Sequence, residues 1–188
     1  MWTDDDLIKR AKQGDSEAWR ALYREHAGRL VAWLRLRPTG DTLSSAEDLA
    51  AEAWFVAASK IADFHGTGDE FAGWLFGTAR KLHANARRTS LRRGTTPEEP
   101  EEIVGLAGSV EDTSDHVAWV RSVLAPLPPR EREAVGLVDA LGMDSRIAAE
   151  ALGISGVALR VARHRGLRKL RLAERDDVAD RLRGIAGT

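Results

Sequence analysis

The 188 residues include 28 Lys and Arg against 29 Asp and Glu, so the formal net charge is −1 and any affinity for nucleic acid must come from local segregation of charge. Cysteine is absent, which excludes disulfides and thiolate chemistry, while an acidic N-terminus and short apolar runs argue against a signal peptide and a membrane span. We therefore expect a soluble, cytoplasmic protein of one large domain or two small ones, with no insertion into a membrane.

Three helices are predicted before residue 63. Thr3 starts the first helix and Gly14 ends it. Asp15 or Ser16 starts the second helix, and Pro38-Thr39-Gly40 breaks it. Ser45 with Asp48, a variant of the capping box, starts the third helix, which is expected to run to about Ala62. No alternating strand pattern interrupts these segments, so the first part of the chain is predicted to be a compact helical domain.

A fourth helix is predicted over 69–93, after a loop that contains two glycines. We expect Asp69 to be its N-cap, and its apolar stripe consists of Phe71, Trp74, Leu75, Thr78, Leu82 and Ala86. The cations outside this stripe are Arg80, Lys81, Arg87, Arg88, Arg92 and Arg93, and His83 is assigned to the same basic face. No acidic residue lies between Glu70 and Glu98. A basic face of one sign is typical of a helix that binds a polyanion, although an ordinary solvated helix is the alternative.

The composition then changes, and residues 94–115 are predicted to form an acidic, flexible linker. Seven acids, two prolines and two glycines lie between Thr95 and Asp115, without Lys or Arg. Such a segment could be a soluble tether or a mimic of a phosphate chain. A short helix is predicted over 116–125, and Pro129 suits the first turn of the helix after it.

A second basic segment, 142–172, has the pattern of a helix-turn-helix. Asp144 or Ser145 starts a short helix, Gly153-Ile154-Ser155 forms a tight turn, and Ser155 caps a longer helix. That longer helix keeps an inward stripe of Leu159, Ala162, Gly166 and Leu170, and its cations are Arg160, Arg163, Arg165, Arg168, Lys169 and Arg171. A helical hairpin with a basic surface is the alternative. The segment 174–188 is predicted to be a frayed tail.

No catalytic or metal-binding pattern accompanies these helices. None of the five histidines has a second histidine three or four residues away, and no P-loop, G-x-S-x-G or dinucleotide fingerprint occurs. The chain is therefore predicted not to be an enzyme, and to need neither a metal nor a cofactor.

With both basic segments placed, the chain resembles a bacterial RNA polymerase sigma factor of the sigma-70 family, in the extracytoplasmic-function (ECF) group. The segment AEDLAAEAWFVAASKI (46–61) is similar to the helix that docks on the polymerase clamp, and 63–88 is similar to the loop and helix that capture the −10 promoter element. The segment LPPREREAVGLVDALGMDSRIAAEALGIS (127–155), with the basic helix after it, resembles the domain that binds the −35 element.

The resemblance implies an all-α fold with two small helical domains, region 2 over 1–93 and region 4 over 116–173, joined by the acidic linker. It implies core RNA polymerase and promoter DNA as partners. An anti-sigma factor is a further partner that is common in the family, and the residues themselves do not report it. The implied polymerase contacts are Glu47, Asp48 and Glu52, with capping and solvation as the alternative explanation of these acids. The implied DNA contacts are Phe64, His65, Arg80, Lys81, Arg87, Arg88, Ser155, Arg160, Arg163, His164, Arg165 and Arg168.

Two features depart from the family pattern. Lys81 occupies a position where asparagine is usual, and the start of the recognition helix (157–163) is nearly apolar, with Arg163 where an apolar residue is usual. Phe64 is equally compatible with a base-binding pocket and with a plug that closes the loop over the core. The predicted function is promoter-specific transcription initiation, and the alternative is a sigma-like polymerase-binding regulator with degenerate −35 recognition.

Overall fold

The computed structural model describes residues 3–37, 45–93 and 111–186, giving the backbone alone for residue 93, 111–117 and 175–186. Within these ranges the chain is helical and contains no strand. The helices are α1 (Asp4–Lys12), α2 (Ser16–Leu36), α3 (Ala46–Lys60), α4 (Gly68–Arg93), α5 (Glu111–Leu124), α6 (Pro129–Val135), α7 (Ser145–Leu152) and α8 (Gly156–Ala186), with a 3₁₀ turn at Ile61–Asp63 and a π-helical segment at Gly136–Ala140.

Local sequence signals determine where the first three helices begin. Thr3 and Ser45 each form a full capping box, with Asp6 and Asp48 respectively, and Asp15 caps α2 through two backbone N–H groups. A capping box satisfies backbone donors that the first turn of a helix leaves without partners. These predicted starts are confirmed. The predicted break at 38–40 lies outside the described residues, and α2 ends just before it.

The predicted N-cap of α4 is wrong by two residues. Thr67, not Asp69, caps this helix: its Oγ1 accepts a hydrogen bond from the Glu70 N–H (3.3 Å), and Glu70 Oε2 accepts one from the Thr67 N–H (2.8 Å). A threonine with a glutamate three residues later forms a reciprocal pair of hydrogen bonds, which an aspartate at position 69 does not offer. Asp69 instead lies within the first turn of α4.

The second half of the chain is more helical than its sequence pattern indicates. Helix α5 begins at Glu111, inside the predicted linker, of which 94–110 lies outside the described residues. Pro129 occupies the first turn of α6 as predicted. Helix α8 continues to Ala186, where a frayed tail was expected from residue 174, because no glycine cap or proline interrupts the chain before residue 184.

An aromatic cluster centred on Phe71 holds α2, α3 and α4 together. Phe71 is fully buried, and its ring centroid lies 5.8 Å from His26, 6.1 Å from Trp54, 5.9 Å from Phe64 and 5.8 Å from Trp74. Such tilted and edge-on pairs contribute roughly 0.5–1.5 kcal/mol each beyond the area that they bury. The cluster therefore fixes which face of α4 points inward.

The helices form two units, α1–α4 and α5–α8, that pack against each other over one continuous core. Helix α7 lies along α4, and Arg37 at the end of α2 pairs with Glu133 of α6 at 2.7 Å. The Arg37 guanidinium also lies 4.7 Å from the centroid of the Trp33 ring. A second apolar cluster joins the units beside this ion pair and consists of Leu36, Val120, Leu124, Leu127 and Val135.

Two histidines are buried, and the assignment of His83 to the basic face is wrong. His83 and His26 expose only 3% and 6% of their surface, because both lie on inward positions of their helices. Burial lowers the pKa of each to about 4, and nearby arginines add to the effect. Nδ1 of His26 and Nε2 of His83 have no hydrogen-bond partner among the described residues. Both rings are therefore neutral near pH 7.

We expect acid to destabilise the fold through these rings. In the unfolded chain these histidines become protonated below their ordinary pKa of about 6.5, whereas in the folded protein they stay neutral until about pH 4. The free energy of unfolding therefore falls as the pH falls from about 6.5 to about 4. The loss should reach about 2 kcal/mol per histidine at pH 5. Urea unfolding of the parent, His26→Leu and His83→Leu at pH 7.5 and pH 5 measures it. Equal pH dependence in all three proteins would contradict the assignment.

Candidate nucleic-acid interface

The outward face of α4 divides into an exposed basic half and a covered half. Lys81, Arg87 and Arg88 are exposed, and Arg88 donates to the amide oxygen of Asn85. Arg80, next to Lys81 in the sequence, is half-buried at the C-terminal end of α7. Lys81, Arg87 and Arg88 extend over about two helical turns and Arg92 is exposed one turn farther on, without an acid on the same segment, a spacing that suits successive phosphates of a nucleic acid.

The two candidate base-binding residues in the loop before α4 differ in burial. Phe64 exposes 7% of its surface, packs edge-on against Phe71, and lies 5.0 Å from the Trp74 ring. Its carbonyl accepts a hydrogen bond from Nζ of Lys12 at 2.5 Å. His65 is exposed. The geometry favours the core-plug interpretation of Phe64 and leaves His65 as the side chain that the loop presents.

The recognition helix α8 begins with a cap, since Ser155 Oγ accepts a hydrogen bond from the Ala158 N–H at 3.2 Å. Val157 and Val161 are exposed on the first turns that follow. Four cations have no ion-pair partner among the described residues and are exposed together with His164: Arg160, which lies between the two valines, and Arg165, Arg168 and Arg171 farther along. The start of α8 thus offers methyl contacts, one capping hydroxyl and the Arg160 guanidinium, and its remaining length offers charge.

Two other cations of α8 are held by acids of the same unit. Arg163 donates two hydrogen bonds to Asp139, at 2.8 and 2.6 Å, and these hydrogen bonds raise the pKa of its guanidinium above the ordinary value. Lys169 pairs with Glu131 at 2.9 Å. Because Arg163 is occupied, a phosphate would have to compete with a bidentate carboxylate for it. This partner explains why an arginine can stand where the family pattern has an apolar residue.

The three acids of α3 have different surroundings. Glu47 accepts a hydrogen bond from Nε of Arg35 at 2.9 Å, and Asp48 accepts one from the Ser45 N–H at 3.1 Å as part of the cap. Glu52 is exposed and has no ion-pair partner among the described residues. Phe55, one turn after Glu52, exposes 73% of its surface. An exposed phenylalanine beside a free carboxylate is the feature of this helix most consistent with a docking face.

An apolar groove between α2 and α3 was not predicted from the sequence. This open groove of about 640 Å³ is lined mainly by Trp19, Tyr23, Trp54 and Ala58, with Arg20 and Arg24 at its edge. Tyr23 and Trp54 lie 5.1 Å apart, and Nε1 of Trp54 has no hydrogen-bond partner among the described residues. The spacing of Trp19 and Tyr23, four residues apart on one helix, was the available signal.

In the described ranges no three His, Asp or Glu side chains are arranged so that they could hold a metal ion. No helix in the same ranges combines the length and the apolar character needed to cross a bilayer.

Comparison with known proteins agrees with this arrangement. The family models "Sigma-70 region 2" and "Sigma-70, region 4" match residues 22–93 and 118–170. The ECF RNA polymerase sigma factor ShbA of Streptomyces griseus is 32% identical over 180 residues, which cover 89% of this chain and 94% of ShbA. The structure of CnrH in complex with the cytosolic domain of CnrY has a TM-score of 0.64 at 23% identity and covers 93% of this chain and 98% of CnrH. The sigma factor RpoE of Bartonella quintana, in complex with the anti-sigma factor NepR, has a TM-score of 0.59 at 21% identity over 81% of this chain and 94% of RpoE.

These matches define a transcription initiation factor built from sigma regions 2 and 4. The chain belongs to the ECF group of RNA polymerase sigma factors. The region 2 match lies within α2–α4 and the region 4 match within α5–α8, and the function of the chain is to bind core polymerase and direct initiation at promoters.

If Phe64 is part of the core, its removal should lower the free energy of unfolding. Phe64→Ala should lower the free energy of unfolding by about 3–5 kcal/mol, because it removes a buried ring from the Phe71 cluster. His65→Ala, at the neighbouring exposed position, should change it by no more than about 0.5 kcal/mol. Urea titrations of both variants decide between the two interpretations. A small loss for Phe64→Ala would show that the ring is not needed by the core.

Proposed function

We propose that the sigma factor divides its work among three helices. Helix α3 docks on core polymerase through Glu52 and Phe55, with Glu47 and Asp48 as flanking contacts. Helix α4 and His65 engage the −10 element, and α8 holds the −35 element. The observation that carries this proposal is the segregation of charge in a chain of net charge −1: among the described residues, α4 and α8 each present a group of three or more exposed cations without an ion-pair partner. Run-off transcription with purified core polymerase, on promoters selected from genomic DNA, tests it.

The −10 assignment rests on anchoring and selection along one helix. Lys81, Arg87 and Arg88 supply phosphate contacts. His65 lies on the loop before the helix, about 20 Å along the helix axis from Lys81 at 1.5 Å per residue, and can stack on or hydrogen-bond to an unstacked base. Melted promoter DNA requires both kinds of contact, because phosphate contacts alone carry no sequence information. Arg80 joins this set only when α7 no longer covers it.

The −35 assignment rests mainly on phosphate contacts. Of the six cations between Ser155 and Arg171, Arg163 and Lys169 have internal partners, which leaves four for DNA. Each phosphate contact contributes about 0.9 to the salt slope on duplex DNA. Val157, Ala158 and Val161 can contact thymine methyl groups but offer no bidentate hydrogen bonds, which leaves Arg160 as the one arginine among them, so base discrimination is shallow. His164 and Arg165 are included as flanking phosphate contacts.

One observation favours the alternative function, a polymerase-binding regulator with degenerate −35 recognition. The first two turns of α8 present Val157 and Val161 where side chains with hydrogen-bonding groups would read base edges. The exposed cations of α4 favour the promoter-specific factor, because a regulator without selective promoter contact has no use for them.

An inhibitory protein partner is also proposed. CnrH and RpoE of Bartonella quintana were each solved with a protein bound, CnrY and the anti-sigma factor NepR. We extend such control to this chain, which acts in the cytoplasm with core polymerase and carries out no catalysis of its own.

We expect the docking face to depend on Glu52 and Phe55. Glu52→Lys reverses the one α3 carboxylate that has no hydrogen-bond or ion-pair partner among the described residues, and Phe55→Ala removes the exposed ring, so each should weaken binding to core polymerase about tenfold or more, roughly 1.4 kcal/mol. Interferometry with immobilised core polymerase measures this. Glu174→Lys, an equally exposed reversal on α8, is the matched control and should bind as the parent does. Parental affinity in both α3 variants, with unchanged circular dichroism, would place the docking face elsewhere.

The two arginines of α8 should differ in their effect on DNA binding. Arg168→Ala should lower the salt slope of holoenzyme binding to promoter DNA by about 0.9, whereas Arg163→Ala should lower it less, because Asp139 already neutralises that guanidinium. Asp139→Ala, which releases Arg163, should raise affinity. Anisotropy titrations between 50 and 200 mM salt, about the range in which such contacts are resolved, give the slopes. If Arg163→Ala lowered the salt slope by the same 0.9, about one phosphate contact, DNA would have to displace Asp139 from Arg163.

A further inference from the structure

The apolar groove between α2 and α3 continues onto an exposed aromatic ridge. Ala58 lines the α3 wall of the groove, and Phe55 lies three residues before it on the outer face of the helix. Phe55 exposes 73% of its surface, and Tyr23, on the opposite wall of the groove, exposes 57%. Large exposed apolar side chains that adjoin an apolar groove are typical of a surface that another protein covers.

The two edges of this surface carry opposite charges. On the α2 side, Arg20 and Arg24 lie at the edge of the groove, and on the α3 side Glu52 lies three residues before Phe55. Arg20 forms an ion pair with Glu17 on its own helix. Arg24 and Glu52 are exposed and have no ion-pair partner among the described residues. A cation that is free to bind therefore lies at one edge and a free carboxylate at the other.

Helix geometry sets the order of these groups across the surface. Glu47, which accepts a hydrogen bond from Arg35 of α2, marks the side of α3 that faces α2. Each residue turns an α-helix by about 100°, so Ala58 lies about 20° from Glu47 around the helix. Phe55 and then Glu52 follow in steps of about 60° from Ala58, on the side away from α2. From one edge to the other, the surface therefore presents cations, groove, aromatic ridge and carboxylate.

This order makes the surface complementary to itself. A two-fold rotation about an axis that runs along the surface, between the groove and Phe55, places the ridge of each copy in the groove of the other. The same rotation brings Glu52 of each copy toward the edge where Arg24 of the other copy lies. A two-fold interface requires both halves of every contact on a single chain, and this surface carries both halves. An unrelated partner would need only one of them.

We propose that this surface is a homodimer interface, in which two copies of the free sigma factor pair through the α2–α3 groove and the Phe55 ridge. The dimer is weak and depends on concentration, because each copy contributes one aromatic ridge and one exposed ion pair. Glu52 and Phe55 are also the residues assigned above to core polymerase, so the dimer and the polymerase complex exclude each other. This exclusion rests on the proposed docking face, whereas the dimer itself does not.

Charge reversal provides a test that only an intermolecular ion pair can pass. In a homodimer, Arg24→Glu sets acid against acid and Glu52→Arg sets cation against cation, so each variant alone should raise the dissociation constant of the dimer about tenfold or more. An equimolar mixture of the two variants should dimerise as the parent does, because every contact then joins an acid of one chain to a cation of the other. Sedimentation velocity over a series of concentrations measures the parent, each variant and the mixture.

The aromatic ridge is tested separately. Phe55→Ala should raise the dissociation constant of the dimer about tenfold or more, because it removes the ridge from both halves of the interface. Leu91→Ala is the matched control, because Leu91 is a large side chain that is similarly exposed, at 70%, on a different helix. This control should dimerise as the parent does. Circular dichroism verifies that each variant is folded.

The outcomes separate the dimer from the polymerase docking face. A parent protein that stays monomeric at every concentration, or a mixture of charge variants that stays monomeric where the parent dimerises, would overturn the dimer. That result would leave the docking face intact if Glu52→Lys and Phe55→Ala still weakened binding to core polymerase. If core polymerase bound the dimer without dissociating it, the docking face would lie elsewhere and the dimer would stand. Dimerisation of the parent, its loss in each charge variant and its recovery in their mixture support the proposal.

Discussion

The burial of Phe71 is the constraint on which the rest of region 2 depends. Its ring meets side chains from α2, α3, α4 and the preceding loop, so removing any one of them would leave a void beside the same ring. Because this contact fixes which face of α4 points into the core, it also fixes which residues, the glycines and cations among them, lie on the opposite face. The position of the DNA-facing cations thus follows from an apolar contact on the other side of their helix.

The charged side chains that are available to a binding partner can be identified only once the ion pairs within the protein are known. The recognition helix looks uniformly basic in the sequence, but Asp139 and Glu131 neutralise two of its cations, and Glu47 of α3 is likewise held by Arg35. The groups left unpaired, such as Glu52 and Arg168, are fewer and more widely spaced than the residue count indicates. Specificity for a partner then depends on a handful of side chains rather than on an overall field.

Features set by neighbouring residues could be predicted from the sequence, whereas features set by distant residues could not. The caps at Thr3, Asp15 and Ser45 and the helix-turn-helix were recognisable because the donor and acceptor lie within a few residues of each other. Contacts between residues far apart in the sequence determine the burial of His83, the pairing of Arg163 with Asp139, and the packing of α7 along α4. The start of α4 was misplaced for a different reason, since Thr67 and Glu70 form a local capping box that was overlooked.

Gly73 and Gly77, which face α7, affect the stability of α4 itself. Together they weaken its first half by about 2 kcal/mol relative to alanine, and an isolated helical segment of that length is only marginally stable in water. The aromatic cluster supports this half from one side and α7 supports it from the other. Its helical backbone therefore depends on tertiary packing, whereas the basic half that follows presents Lys81, Arg87 and Arg88 to solvent.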